Sequence, residues 1–389
     1  MTDLLLTNAT LLDLETGALG ALAHRPPTRL GIEAKNVLEG MLRRGFTTVR
    51  DAGGLDLGVQ QALDAGLVQG PRVFRSGRVL SQTGGHGDTH PPSNEPHLCA
   101  CHIESTQFAH IADGPDAVRR AVREELKGGA HQIKVMAGGG VATPSDPIDM
   151  VQYTAEEIRA AVQEAASRRT YAFAHAYVPD AIIQAVEEGV RSIEHGNLLD
   201  EHVAEHGTFL VPTLVVYEQI AELGRQWGFP VESLTKLEQV QAAGKRAIRV
   251  ALDAGVRVGF GTDLLGETHP AQSRELLLRA DVQSNLDVLR SATLVNADLL
   301  GRSGALGVIA PGAHADLLLV DGNPVEDLEV LTRHDESLRM VVRNGDVVVD
   351  RTRRAAAGLS DAAHRLDRGR TARLNSLVVI TPSDHQEPA

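Results

Sequence analysis

The chain has 389 residues, 42% hydrophobic and 23% charged, enough for one large domain or one large and one small. A net charge of −13 and only 3% aromatic residues argue against nucleic acid or an anionic membrane surface as the main partner. Cys99 and Cys101 are separated by a single residue, which argues against a disulfide framework, and no stretch approaches the roughly 18 apolar residues of a membrane helix.

The opening "MTDLLLTNATLLD" lacks the basic region of a signal peptide, so the expectation is a cytoplasmic protein. Residues 1–20 have the shape of an edge of a small β-domain. "GALGALAHRPPTRLGIEAKNVLEGMLRRG" then reads as loop followed by helix. Seven strands are predicted beyond it: "FTTVRD" (46–51), "RVFRSGRVL" (72–80), "QIKVMA" (132–137), "YAFAHA" (171–176), "RSIEHG" (191–196), "TFLVPTL" (208–214) and "VRVGFGTD" (256–263). Amphipathic helical segments alternate with them. One opens at Thr154 with Glu157 three residues on, a capping-box signal, and two others begin at Pro and end at Gly.

This alternation predicts an α/β chain with a (β/α)8 TIM-like barrel over residues 21–305, its first strand missing. "ADLLLVD" and a hairpin about Asn344-Gly345 follow, so residues 306–352 are expected to complete a small β-sandwich with the N-terminal end. The tail, 353–389, is rich in Arg, Ala, Ser and Pro and is expected to be poorly ordered.

Four polar residues fall at comparable places on separate strands. Counting the unseen strand as first, Lys134 lies on the fourth, His175 ends the fifth, His195 the sixth and Asp263 the eighth. Taken singly, each has a structural reading: a satisfied core histidine, a turn aspartate, a snorkelling edge lysine. Taken together at strand ends, they would converge on the face where barrel active sites form. An ammonium cannot bind a metal. A neutral lysine that captures carbon dioxide becomes a carbamate able to bridge two cations, and burial favours the neutral amine. Two imidazoles and carboxylate-type oxygens suit zinc or a similar divalent ion, with Asp263 placed to carry a proton.

At these residues the chain resembles the amidohydrolase superfamily. "IKVMAGGG", "FAHAY", "SIEHGN", "GFGTD" and "GVIAPGAHADLLLVDGNP" together are similar to its subgroup of prolidase-like and ochratoxinase-like enzymes, over roughly residues 35 to 350. The resemblance implies a carboxylated Lys134 bridging two metals, His175 and His195 on the second, and Asp263 as ligand of the first and general base. It implies hydrolysis of the amide bond of dipeptides or N-acyl amino acids, and assembly as a homo-oligomer. "SQTGGHGDTHPP" (81–92) also matches the subgroup, so His86 binds the substrate carboxylate or polarises the scissile carbonyl; the alternative is a surface histidine on a glycine-rich loop. Tyr177 is a further substrate-binding candidate. Arg50 and Asp51 read as structural, and "HLCACH" (97–102) as a loop.

The family's His-x-His pair at the end of strand one has no counterpart, and His24 stands alone. The missing pair coincides with the missing strand, and the echo "GALGAL" is consistent with a deletion there. A second reading is therefore a truncated, catalytically impaired homologue acting as a binding or oligomerising subunit. "AGGGVATP" lacks the Gly-Lys-Ser/Thr ending of a phosphate-binding loop and is set aside.

Overall fold

Strands rich in Val, Ile and Ala form the wall of a parallel barrel in the computed structural model, which describes residues 26–90, 108–143, 146–204 and 208–352. The wall begins with β1 (Thr48–Arg50), which pairs in parallel with β2 (Arg72–Phe74). A seven-stranded parallel sheet follows, ordered β4-β3-β5-β6-β7-β8-β9. Its members are β3 (Val79–Ser81), β4 (Ala109–Ile111), β5 (Ile133–Met136), β6 (Ala172–Ala176), β7 (Ser192–His195), β8 (Phe209–Val211) and β9 (Arg257–Val258). β5 to β8 are buried along their whole length, as expected of strands covered by helices on one side and by the barrel lumen on the other.

Alternation sorts the side chains. Ile133, Val135, Ala172, Ala174 and Ile193 face outward into the main core, against Ala160, Ala161 and Ala165 of the helix Ala155–Ser167 and Ile182 and Ala185 of the helix Pro179–Glu187. Small helix residues let these helices lie close on the sheet. The helix Ala155–Ser167 starts in the predicted capping box: Thr154 Oγ1 accepts from the Glu157 amide, and Glu157 accepts from the Thr154 amide at 2.7 Å.

The helix preceding the barrel, Pro27–Arg43, joins two cores. Leu38 packs with Val59 and Val73, while Leu42 packs with Val320, Val330, Leu338 and Val341 of the C-terminal unit. That unit is an antiparallel sheet of β10 (Leu317–Val320), β11 (Leu338–Arg343) and β12 (Asp346–Asp350). The hairpin turn has φ of 53° at Asn344 and 89° at Gly345, the left-handed pair that Asn-Gly favours. The expected sandwich partner at residues 1–20 lies outside the described residues, as do His24, the 97–102 run and the 353–389 tail.

Three predicted strands need correction: the 256–263 segment is a strand only at Arg257–Val258, so Asp263 lies beyond its end. The 72–80 segment is two strands, because Ser76-Gly77 turns the chain between β2 and β3, Gly77 lying at a φ of 78°. The 208–214 strand stops at Val211, and Leu214 already begins a helix running to Leu223. β4, on "FAHI", was not predicted; its run is too short to show a period. Among the described residues no strand precedes β1, and none pairs with the outer edge of β1 or β9. With β2 and β3 as successive parts of one wall strand and β4 set beside β3, the described residues supply seven successive wall strands, β1, β2/β3 and β5 to β9, and no described strand joins β1 to β9. At that seam the Asn296 side-chain amide takes a strand's place: Phe260 N–H donates to Asn296 Oδ1 at 3.0 Å, and Asn296 Nδ2 donates to Phe260 O at 2.9 Å.

Candidate active site

Inward positions on adjacent strands converge in the lumen. Lys134 stands beside Phe173 and Met136 beside His175 in the β5–β6 register, and His175 stands beside Glu194 in β6–β7. His195 is paired with outward-facing Ala176, so plain alternation would send it to the helices. Its φ of 72° turns it back instead, and its ring lies 4.8 Å from that of His175 and 5.3 Å from that of Tyr177. Asp263 also has a left-handed backbone, φ 49°. Such strain in non-glycine residues concentrates at functional sites.

Each imidazole is tied through one nitrogen. His175 Nε2 donates to Gly139 O at 3.0 Å, leaving Nδ1 as the lone-pair nitrogen. His195 Nδ1 is 2.8 Å from Thr213 Oγ1, leaving Nε2 free of a partner among the described residues. This is the arrangement in which an outer hydrogen bond fixes ring orientation and tautomer for a metal ligand. Burial pushes both imidazoles well below the usual histidine range, with the neighbouring histidines and Lys134 adding to the effect, so both are neutral as ligation requires.

Burial also pushes the Lys134 amine down, against the pull of Glu194 and Asp263. Its Nζ lies 5.1 Å from the centre of the Phe173 ring. Burial pushes the Asp263 carboxyl up to about 6, with Lys134 pulling it back. Beneath Lys134, Arg50 donates to Glu194 at 2.6 Å and to Ser192 Oγ at 3.1 Å and covers the other reach of Phe173. Asp51 accepts from the Gly53 and Ser76 amides. Both residues thus brace the floor.

Among the described residues no three His, Cys, Asp or Glu side chains lie close enough together to hold an ion by themselves. Lys134 is a further side chain there, its charge felt by His175, His195 and Asp263 alike. The donor set fits one ion on the His175–His195 side. For the other position of a binuclear centre the described residues offer Asp263 and Lys134 only.

His86 is buried, not on the surface. It stacks on His175 with centroids 4.4 Å apart, and its Nδ1 lies 3.0 Å from Asp146 Oδ2. Tyr177 meets the His175 ring edge-on, and its hydroxyl is 3.0 Å from that of Tyr217. Sequence reading missed Glu194, Thr213, Tyr217 and Asp146. Glu194 had a signal, being next to His195 and two residues from Ser192 on one strand face. Asp146 had none, because its loop has no period.

The lumen opens into a cavity of about 1210 Å³. At one end are His86, Lys134, His175, His195 and Asp263; the other end runs through the seam between β1 and β9 to Leu317 and Met340 of the C-terminal sheet.

A parallel barrel with histidine, lysine and aspartate gathered at its strand ends defines a class of barrel hydrolase-type proteins. The chain belongs to the amidohydrolase family, whose sequence pattern matches residues 12–348. It is 33% identical over 303 residues to ochratoxinase of Aspergillus niger, covering 74% of this chain. It spans about 62% of the length of that relative. A prolidase crystallised with N-methylphosphonate-L-proline superposes with a TM-score of 0.82 at 49% identity, covering 87% of this chain and 84% of the other. A Xaa-Pro dipeptidase with methionine bound in its active site gives 0.75 at 30% identity, covering 84% and 81%.

Proposed function

We propose that the chain is a metal-dependent amidohydrolase acting on the amide bond of dipeptides or N-acyl amino acids. The observation that carries this reading is the convergence of neutral His175 and His195, each with one free nitrogen, on the buried amine of Lys134. Lys134 as a carbamate, with His175 and His195, would hold a divalent ion such as zinc, and Asp263 would stand at its open side. Such an ion supplies Lewis acidity and acidifies water near the scissile carbonyl.

The remaining work falls to the chain's own groups. Asp263 takes the proton of the attacking water and returns it to the leaving amine, a role suited to a carboxyl raised to about 6 by burial. His86, as an imidazolium whose Nδ1–H donates to Asp146, would polarise the scissile carbonyl or pair with the substrate carboxylate through Nε2–H. The Tyr177 hydroxyl, braced by Tyr217, contacts the bound acyl portion. Lys236 and Arg50 are committed to other partners, so neither competes for the substrate carboxylate.

The open wall favours a second reading, an impaired homologue serving as a binding subunit. Metal analysis after growth with zinc and bicarbonate separates the two. One ion per chain, with hydrolysis of Xaa-Pro or N-acyl substrates that vanishes in Lys134→Ala, is the expected result. A chain that takes up no metal is the binding subunit.

A further inference from the structure

The loop that follows β5 carries more chemistry than a connection needs. Asp146 is fully buried, and its Oδ2 accepts from the Gly140 amide at 2.8 Å and faces His86 Nδ1 at 3.0 Å. Its Oδ1 has no hydrogen bond but lies 3.8 Å from Lys236 Nζ. Lys236, on the helix Val231–Asp253, donates to the carbonyls of Gly140 (3.1 Å), Thr143 (2.9 Å) and Asp146. An ammonium spent on three carbonyls of one loop cross-braces that loop at three points.

The other contacts of His86 point the same way. Its amide donates to Gln152 Oε1 at 2.9 Å, and its carbonyl accepts from Thr143 Oγ1 at 2.8 Å. A Cβ on Gly140 would come within 1.9 Å of the imidazole, so the bare backbone there is what lets the loop lie on the ring. With Nδ1 facing Asp146, Nε2 is the ring nitrogen left without a partner among the described residues.

We propose that Asp146 is a positioning residue that fixes the ring of His86, and that Lys236 holds Asp146 in place by bracing its loop. Asp146 does not touch substrate; it acts through His86. The inference rests on the reading of His86 as a substrate-facing group.

Kinetics of the zinc-loaded enzyme and crystal structures of the variants test it together. Asp146→Ala should lower kcat by about 10–100-fold with KM nearly unchanged, as loss of an outer partner of an active-site histidine does. Asp146→Asn, which keeps an acceptor for Nδ1 but not the negative charge, should keep the His86 ring on its stack with His175. Gly140→Ala should displace the ring and reproduce the defect with Asp146 intact, and Lys236→Met should show a milder one. In the Asp146→Ala crystal structure the His86 ring should leave its stack on His175. An unmoved ring overturns the proposal, as does an Asp146→Asn ring displaced as far as that of Asp146→Ala. If the wild type hydrolyses nothing, the functional reading fails, yet the ring position in wild type and Asp146→Ala still decides the positioning role.

Discussion

At the residue scale, two backbone angles shape the site. His195 and Asp263 both occupy the left-handed region, and without that turn His195 would face the helices. Lys134, His175 and His195 were legible in the sequence because each is a polar residue in an apolar strand, and Asp263 because it closes the "GFGTD" run beyond β9. Thr213 was not legible: a threonine after a strand has many ordinary roles, and only its 2.8 Å contact with His195 Nδ1 shows what it does. Thr213→Val should therefore weaken metal binding about 10–100-fold while leaving the fold intact, measured by competition with a chelator. A variant with unchanged affinity would remove Thr213 from the site.

At the scale of elements, one buried ion pair fastens the helix Arg274–Ala280 to the helix Leu214–Leu223. Glu275 accepts from the Val215 amide at 2.7 Å and lies 3.7 Å from Arg279, both side chains being fully buried. Burial pushes the Glu275 carboxyl up from 4.5 to about 8. Because the folded value is the higher, the stabilising contribution is complete below 4.5 and is lost as pH rises toward 8. Unfolding in urea at pH 5 and pH 8 should show the advantage of the wild type over Glu275→Gln shrinking at the higher pH. Glu275→Ala leaves the buried Arg279 and the Val215 amide without their acceptor and should cost about 1–3 kcal/mol. A cost below about 1 kcal/mol, the range of exposed pairs, would show that water reaches Arg279. None of this could be read from "RELLLRA", which by pattern is an ordinary surface helix.

At the scale of the whole molecule, the described residues leave the barrel wall unpaired between β1 and β9. Among the described residues β1 is bonded to β2 alone, whereas β5, β6 and β7 each have two strand neighbours. Hydrogen exchange followed by mass spectrometry should therefore find the segment around Val49 and Arg50 less protected than β5 to β7, since local opening there breaks fewer contacts. Equal protection would mean that another element closes the barrel in solution. The same opening lets the cavity run from His175 to the C-terminal sheet, where a closed barrel would have packed side chains.

The sequence by itself determined the class of the fold and singled out Lys134, His175, His195 and Asp263. Those properties are written in local period and residue type, which neighbouring residues along the chain suffice to reveal. Only the tertiary structure decided that Asp146 and Lys236 set His86, that Thr213 holds His195, and that Asn296 replaces strand contacts at the open seam. Such pairings join positions 18 to 96 residues apart, and nothing in a local pattern fixes which distant hydroxyl, carboxylate or amide folding will bring to a given ring or strand edge.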